Sequence, residues 1–144
     1  MHPDFGEDVR SYAWDTGSRL VLFDPIAPLP DDLPAKPRVV CLTSVWHKRG
    51  APELGYRVVP PREVAEPLPS TYDEERALWL EPLCALVVGD ALGALADPTW
   101  LPPEMTQADV RAKLRPWLER PIELVLPTHG DPFGRAELER LLAP

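Results

Sequence analysis

Proline is the residue that most limits what this chain can fold into, because it accounts for 20 of the 144 residues. Proline fixes φ and has no N–H to donate, so it interrupts helices and is excluded from the interior strands of a sheet. Some of the prolines are adjacent, as at Pro60-Pro61 and Pro102-Pro103. This pattern predicts short elements separated by turns and rigid connectors. A GC-rich genome or a requirement for heat stability would also enrich proline, and composition does not separate these causes.

The segments between the prolines predict a β-rich first half followed by alternating helix and strand. Ser11–Asp15 and Arg19–Asp24 flank a glycine-bearing turn and predict a hairpin. Residues 25–37 predict a loop. Short apolar runs predict further strands at 38–43, 56–59, 77–80, 84–89 and 123–126.

Helices are predicted over residues 107–119 and 135–142, and a further helix over 46–54 is weakened by a glycine and a proline. Thr106 is the expected N-cap of the first of these, and Asp109 three residues later approximates a capping box. Val110, Leu114, Trp117 and Leu118 recur at helical spacing and predict its buried face.

Length and charge bound the class of protein. Residues 1–144 are expected to form a single domain in the α/β class, with a core of ordinary size. The net charge of -8 argues against a nucleic-acid partner and against an anionic membrane surface. No apolar run is long enough to cross a bilayer, and the first residues lack a basic and an apolar secretory segment. Cys41 and Cys84 lie in apolar runs, which favours reduced core thiols in a cytoplasmic protein over a disulfide or a metal role.

Three motifs follow one another in an informative order. A strand ends in Phe23-Asp24, another ends in Gly89-Asp90, and a late strand leads into Thr128-His129-Gly130. Together they resemble the metallo-β-lactamase-fold proteins, and the resemblance covers essentially the whole chain. It implies a trimmed four-layer αβ/βα sandwich, with two sheets face to face and helices outside.

In the family that the chain resembles, a THxHxDH motif and later residues hold one or two metal ions, usually zinc, which activate a water molecule. If Thr43 is the threonine of that motif, the four ligand positions are filled by residues that bind zinc poorly: Ser44, Trp46, Lys48 and Arg49. His47 falls at an intervening position, where the family geometry implies that it points away from the metal. The histidine of a GHTxGS turn is also missing from residues 69–73. Asp90 and His129 are the two ligand positions that remain, and the resemblance implies that they lie near each other, where their strands end.

Each of these residues also has a structural interpretation. Asp90 is a candidate N-cap for a short helix, and His129 a hydrogen-bonded loop histidine. His47 is a surface or loop histidine, or else a substitute ligand or general base. Lys48 and Arg49 are expected to be a solvated helix start or partners of Asp90 rather than an anion site. Asp24 and Asp131 are expected to be turn residues, and no GxSxG, P-loop, GxGxxG or HExxH pattern offers another catalytic site.

The sequence therefore predicts a non-catalytic binding or structural module without a cofactor, in which Lys48 or Arg49 occupies the former metal space. It would act through a residual pocket around these residues, on a small-molecule ligand that the sequence does not identify, or through assembly into a homo-oligomer. The alternative is a metal-dependent hydrolase with a reduced site, in which His47, Asp90 and His129 hold zinc or another divalent metal.

Overall fold

The computed structural model describes residues 9–48, 55 and 60–144, which form two β-sheets and a layer of helices. Sheet one contains β1 (Tyr12–Asp15), β2 (Leu20–Phe23) and β3 (Arg38–Cys41), in that order. The predicted hairpin is confirmed, because β1 and β2 pair antiparallel, and β3 joins β2 in parallel. The strand predicted at 56–59 lies outside the described residues. So does most of the helix predicted over 46–54, whose described residues 46–48 are not helical.

Sheet two has five strands in chain order: β4 (Glu66–Pro69), β5 (Arg76–Leu80), β6 (Ala85–Val88), β7 (Leu124–Pro127) and β8 (Phe133–Gly134). β6 and β7 are parallel, and the other neighbours are antiparallel. The sequence does not predict β4, because two of its four residues are proline. An edge strand tolerates the missing N–H groups, and β4 is at the edge of the described sheet.

Alternating side chains of sheet two face two different cores. One face packs against sheet one, and its core combines residues of both sheets: Val21, Phe23, Cys41, Leu78, Leu80, Ala85 and Val87. The opposite face carries Ala77, Trp79, Leu86 and Val88 and packs against the helices. The two-residue period of β5 and β6 thus fixes sheet two as the central layer.

The helices that cover sheet two are α1 (Gly93–Ala96), α2 (Gln107–Leu114) and α3 (Arg135–Leu141). The predicted capping box at Thr106 and Asp109 is confirmed. The predicted helix over 107–119 is α-helical only to Leu114 and continues as a 3-10 helix over Arg115–Glu119, because Pro116 has no N–H for an α-helical hydrogen bond.

The outer face of sheet one buries Leu20, Leu22, Val40 and Leu42. Leu29 and Leu33 from the predicted loop pack against them, so in the described part of the chain this face is covered by loop residues. The described helices are all too short to cross a membrane.

Candidate functional site

The ends of two pairs of parallel strands build the site. Phe23 is paired with Cys41 in sheet one, and Val88 is paired with Pro127 in sheet two. Because each pair is in register, the residues that follow these strands leave the sheets at the same edge. Asp24 follows β2 and Asp90 follows β6 in this way. His129 follows β7, and its Nε2 lies 3.2 Å from Oδ1 of Asp90, as the resemblance predicts for two residues 39 positions apart.

The N-terminal segment holds the β7 end of the site in place. Val9 forms an antiparallel bridge with His129, and the N–H of Arg10 donates to the carbonyl of Thr128 at 2.8 Å. The guanidinium of Arg10 donates to the carbonyl of Gly130 at 2.6 Å and pairs with Asp131. Asp131, which was predicted to be a turn residue, is therefore also the partner of a cation.

His47 is the centre of the site and links the two sheets. Its ring is buried, and its Nδ1 lies 2.8 Å from Oγ1 of Thr43 and 3.2 Å from Oδ2 of Asp24. Its Nε2 lies 3.1 Å from Oδ2 of Asp90. The expectation that His47 points away from the site is wrong. The chain turns at Ser44, whose carbonyl accepts the N–H of His47 at 3.3 Å, and this turn directs the ring inward.

The hydrogen-bond partners of His47 require a proton on both of its ring nitrogens. The hydroxyl of Thr43 donates to Oδ2 of Asp24 at 2.6 Å, so it accepts from Nδ1 of His47. An ionised Asp90 only accepts, so Nε2 of His47 donates to it. Burial lowers the pKa of His47, but hydrogen bonds to Asp24 and then Asp90 outweigh burial and raise it to about 9. His47 is therefore an imidazolium at neutral pH, bound between two carboxylates.

Asp24 is a buried carboxylate that binds several neighbouring groups, rather than the turn residue that the sequence predicts. Its Oδ1 accepts the N–H of Thr43 at 2.8 Å, and its Oδ2 faces Thr43 and His47. Its φ of 46° lies in the left-handed region, which is uncommon for a residue other than glycine. The buried hydrogen bonds hold the backbone in this conformation.

The structural interpretation of Asp90 as a helix N-cap is wrong, because its side chain does not cap a helix. Its Oδ2 accepts from His47 and also from the indole N–H of Trp46 at 3.2 Å. α1 begins at Gly93, and no side chain caps it. Burial raises the pKa of Asp90, but contacts with His129 and His47 more than offset this and hold it well below its usual range.

The sequence predicts Lys48 or Arg49 as the cation beside Asp90. In the described residues, its ion-pair partners are His47 and His129. Lys48 is exposed, and Arg49 lies outside the residues that the structure describes. Ser44 is buried, with its Oγ accepting the N–H of Trp46 at 3.3 Å, and Trp46 is partly exposed above Asp90.

Glu75 and Ser70 complete the buried network, and the sequence does not identify either of them. Oε1 of Glu75 accepts the N–H of Asp90 at 2.5 Å, and its Oε2 accepts the hydroxyl of Ser70. Burial raises the pKa of Glu75 to about 7. Glu75 follows Asp73 and Glu74, and a run of three acidic residues looks like a solvated turn. The absence of a side chain at Gly89 makes room, because a Cβ there would collide with the Glu75 carboxylate and lie 2.5 Å from Oγ1 of Thr43.

The site does not fit the metal ion that the fold implies. The donors that remain are His47, Asp90 and His129, and they are bound to one another with the carboxylate in the middle. No group of three or more histidine, cysteine, aspartate or glutamate side chains in the described ranges is arranged to hold a metal ion. We therefore assign no metal-dependent step to this site.

A cavity of about 320 Å³ opens beside Asp90 and His129. We call it the Asp90 cavity. These two residues form its polar end, and its walls are largely apolar, with Leu92, Trp100, Phe133 and Leu141 among them. The rings of Trp100 and His129 are nearly perpendicular, with their centres 5.3 Å apart. A cavity of this size and lining is typical of a site for a small molecule.

The two facing sheets, the helices on sheet two and the site at the strand ends define the metallo-β-lactamase fold. No family model matches the chain, and no curated protein is similar to it in sequence. Solved structures do match.

The metallo-β-lactamase FIM-1 from Pseudomonas aeruginosa, in a mono-zinc form, is 15% identical, with a TM-score of 0.59 over 99% of this chain and 85% of that one. An NDM/FIM-1-like metallo-β-lactamase from Erythrobacter litoralis is 14% identical, with a TM-score of 0.52 over 90% and 80%. The apo chemotaxis sensor ODP from T. denticola is 13% identical, with a TM-score of 0.51 over 87% and 79%. At these identities the likeness establishes the fold and nothing finer.

Proposed function

We propose that this chain is a non-catalytic member of the metallo-β-lactamase fold, in which the ring of His47 takes the place of the metal and the Asp90 cavity binds a small molecule. The observation that carries the proposal is the position of His47, whose two nitrogens face the carboxylates of Asp24 and Asp90. A buried carboxylate needs a cation or hydrogen-bond donors. His47 supplies both from within the chain. One of the similar structures is a chemotaxis sensor, so this fold also serves roles other than that of a β-lactamase.

A second candidate is the metal-dependent hydrolase with a reduced site. One observation favours it: Nε2 of His47 and Nε2 of His129 lie against the two oxygens of Asp90, at 3.1 and 3.2 Å. A metal-binding histidine usually donates its other nitrogen to a carboxylate, and Nδ1 of His47 faces Asp24 in this way. Two histidines and a carboxylate are the donor types of a catalytic zinc site, although here the three side chains would first have to break their contacts with one another.

Metal content separates the two candidates. The proposal predicts that protein purified without chelator carries well under one equivalent of zinc, iron or manganese by elemental analysis. It also predicts that added zinc leaves the melting temperature unchanged, because a ligand that does not bind the folded state cannot stabilise it. One bound equivalent of metal, lost in His47→Gln and in His129→Gln, would contradict the proposal and favour the hydrolase candidate.

A further inference from the structure

We infer that the Asp90 cavity takes a small organic cation with an apolar or aromatic body, such as an arylalkyl amine. The inference rests on the proposed binding function and names the class of ligand. It follows from the shape of the cavity, from the signs of the charges around it and from the aromatic ring in its wall.

The apolar part of the cavity suits a ligand with a ring or a short alkyl chain. Trp100 and Phe133 supply aromatic surface, and Leu92 and Leu141 supply aliphatic surface. Trp100 packs directly on Gly93, where a Cβ would collide with its ring. The indole is therefore held in the wall by α1, and its position does not depend on a ligand.

The charged groups at the cavity favour a positive ligand. Three aspartates line it, Asp90, Asp97 and Asp131, and none of its described lining residues is lysine or arginine. Arg10 pairs with Asp131, and His47 pairs with Asp90. The exposed carboxylate of Asp97 accepts the N–H of Thr99 at 2.9 Å and has no ion pair among the described contacts, so it leaves the cavity with a negative sign.

The polar end carries the carboxylate of Asp90, whose two oxygens lie against His47 and His129. Oδ1 of Asp90 is buried 3.2 Å from Nε2 of His129, so the carboxylate acts on a ligand through its charge and not through direct contact with this oxygen. The aromatic ring of Trp100 in the cavity wall would attract the positive charge of a ligand by a cation–π interaction. An anionic ligand would meet carboxylates at both the polar end and the rim.

The test compares three probes that share a phenyl ring and differ in charge: phenethylamine, 2-phenylethanol and 3-phenylpropionate. Calorimetric titration at low salt is expected to show that the amine binds about tenfold or more tightly than the alcohol, as one or two favourable charge interactions would give. The acid is expected to bind more weakly than the alcohol. Equal affinity for the three probes, or no binding of the amine at millimolar concentration, would overturn the inference.

Two pairs of variants test whether the amine binds in the Asp90 cavity. Ala96→Trp fills the cavity from an exposed position on α1 and is expected to abolish amine binding, whereas Ala136→Trp, at an exposed position on α3 outside the cavity, is expected to leave it unchanged. Asp97→Asn is expected to weaken binding several-fold, and Asp32→Asn, at an exposed loop position, to have no effect. Unchanged binding in both Ala96→Trp and Asp97→Asn would overturn the inference. These outcomes do not depend on metal content, so the inference and the proposed function can fail separately.

Discussion

The ring of His47 stands between two carboxylates, and its removal would leave both without their shared cation. Asp24 is 2% exposed, so water cannot take over the role of the ring there. We expect His47→Gln to lower the free energy of unfolding by about 3–5 kcal/mol, the usual cost of breaking a buried pair. Urea unfolding followed by tryptophan fluorescence measures this change.

Two further variants test whether the loss comes from the pair itself. Lys48→Met removes an exposed neighbouring cation and is expected to change stability by no more than about 1 kcal/mol. The double variant of His47→Gln with Asp90→Asn is expected to lose less than the sum of the single variants, because the two residues share one interaction. Additive losses would show that His47 and Asp90 do not interact.

The same histidine predicts how stability depends on pH. Its pKa is raised from 6.5 to about 9 in the folded state, so the folded state binds this proton more tightly than the unfolded state does. The stabilisation is complete below about pH 6.5 and is lost as the pH rises to about 9. Over this interval we expect a loss of up to about 3 kcal/mol, at 1.36 kcal/mol per pKa unit. Urea unfolding at several pH values measures it, and the loss should be much smaller in His47→Gln, where only other groups such as Glu75 titrate.

Gly89 predicts a steric effect at the same site. A Cβ at this position would meet the carboxylate of Glu75 and Oγ1 of Thr43, which are fixed by hydrogen bonds. We expect Gly89→Ala to lower the free energy of unfolding by about 1–3 kcal/mol, the range for overpacked interiors. In the control variant Gly134→Ala the new Cβ meets nothing closer than the Glu123 carbonyl at 3.6 Å, so the loss should be smaller. Equal losses in thermal denaturation would contradict this account.

At the scale of elements, the start of α2 depends on one side chain. The side chain of Thr106 accepts the N–H of Asp109, and the side chain of Asp109 accepts the N–H of Thr106. Two backbone N–H groups at the helix start are thereby satisfied. We expect Thr106→Ala to cost about 1 kcal/mol of stability, as the loss of an N-cap typically does. Ser18→Ala, at an exposed turn position, should be silent in the same urea titration. A silent Thr106→Ala would mean that packing alone holds the first turn of α2.

The strands that follow a clear pattern of apolar residues were predictable from the sequence. The strands that contain proline or are very short were not. β5 and β6 alternate between two cores, and their positions follow from the apolar runs at 77–80 and 84–89. β4 contains Pro67 and Pro69, and only its place at the edge of the described sheet makes a strand tolerable there. β8 has two residues, too few for a period to be recognised.

For the molecule as a whole, the motifs at strand ends predicted that Asp90 and His129 meet, because parallel strands deliver their ends to one edge. The direction of His47 was not predictable, since it depends on the turn that begins at Ser44. Glu75 was missed because burial of a carboxylate is a property of the assembled sheets. No local pattern distinguishes it from the acidic residues before it.

The contacts within the site also show whether the two sheets of the chain have come together during folding. Asp24 and His47 follow strands of sheet one, and Asp90 and His129 follow strands of sheet two, so the contact between His47 and Asp90 forms only when the two sheets meet. Contacts between distant segments form late in folding, because the loops between them must close first. The indole of Trp46 touches Asp90 from the other sheet, so its fluorescence should change only when the two sheets have come together. A stopped-flow refolding trace of Trp46→Phe should lack the slowest tryptophan signal of the native chain, while the earlier signals from Trp79 and Trp117 remain.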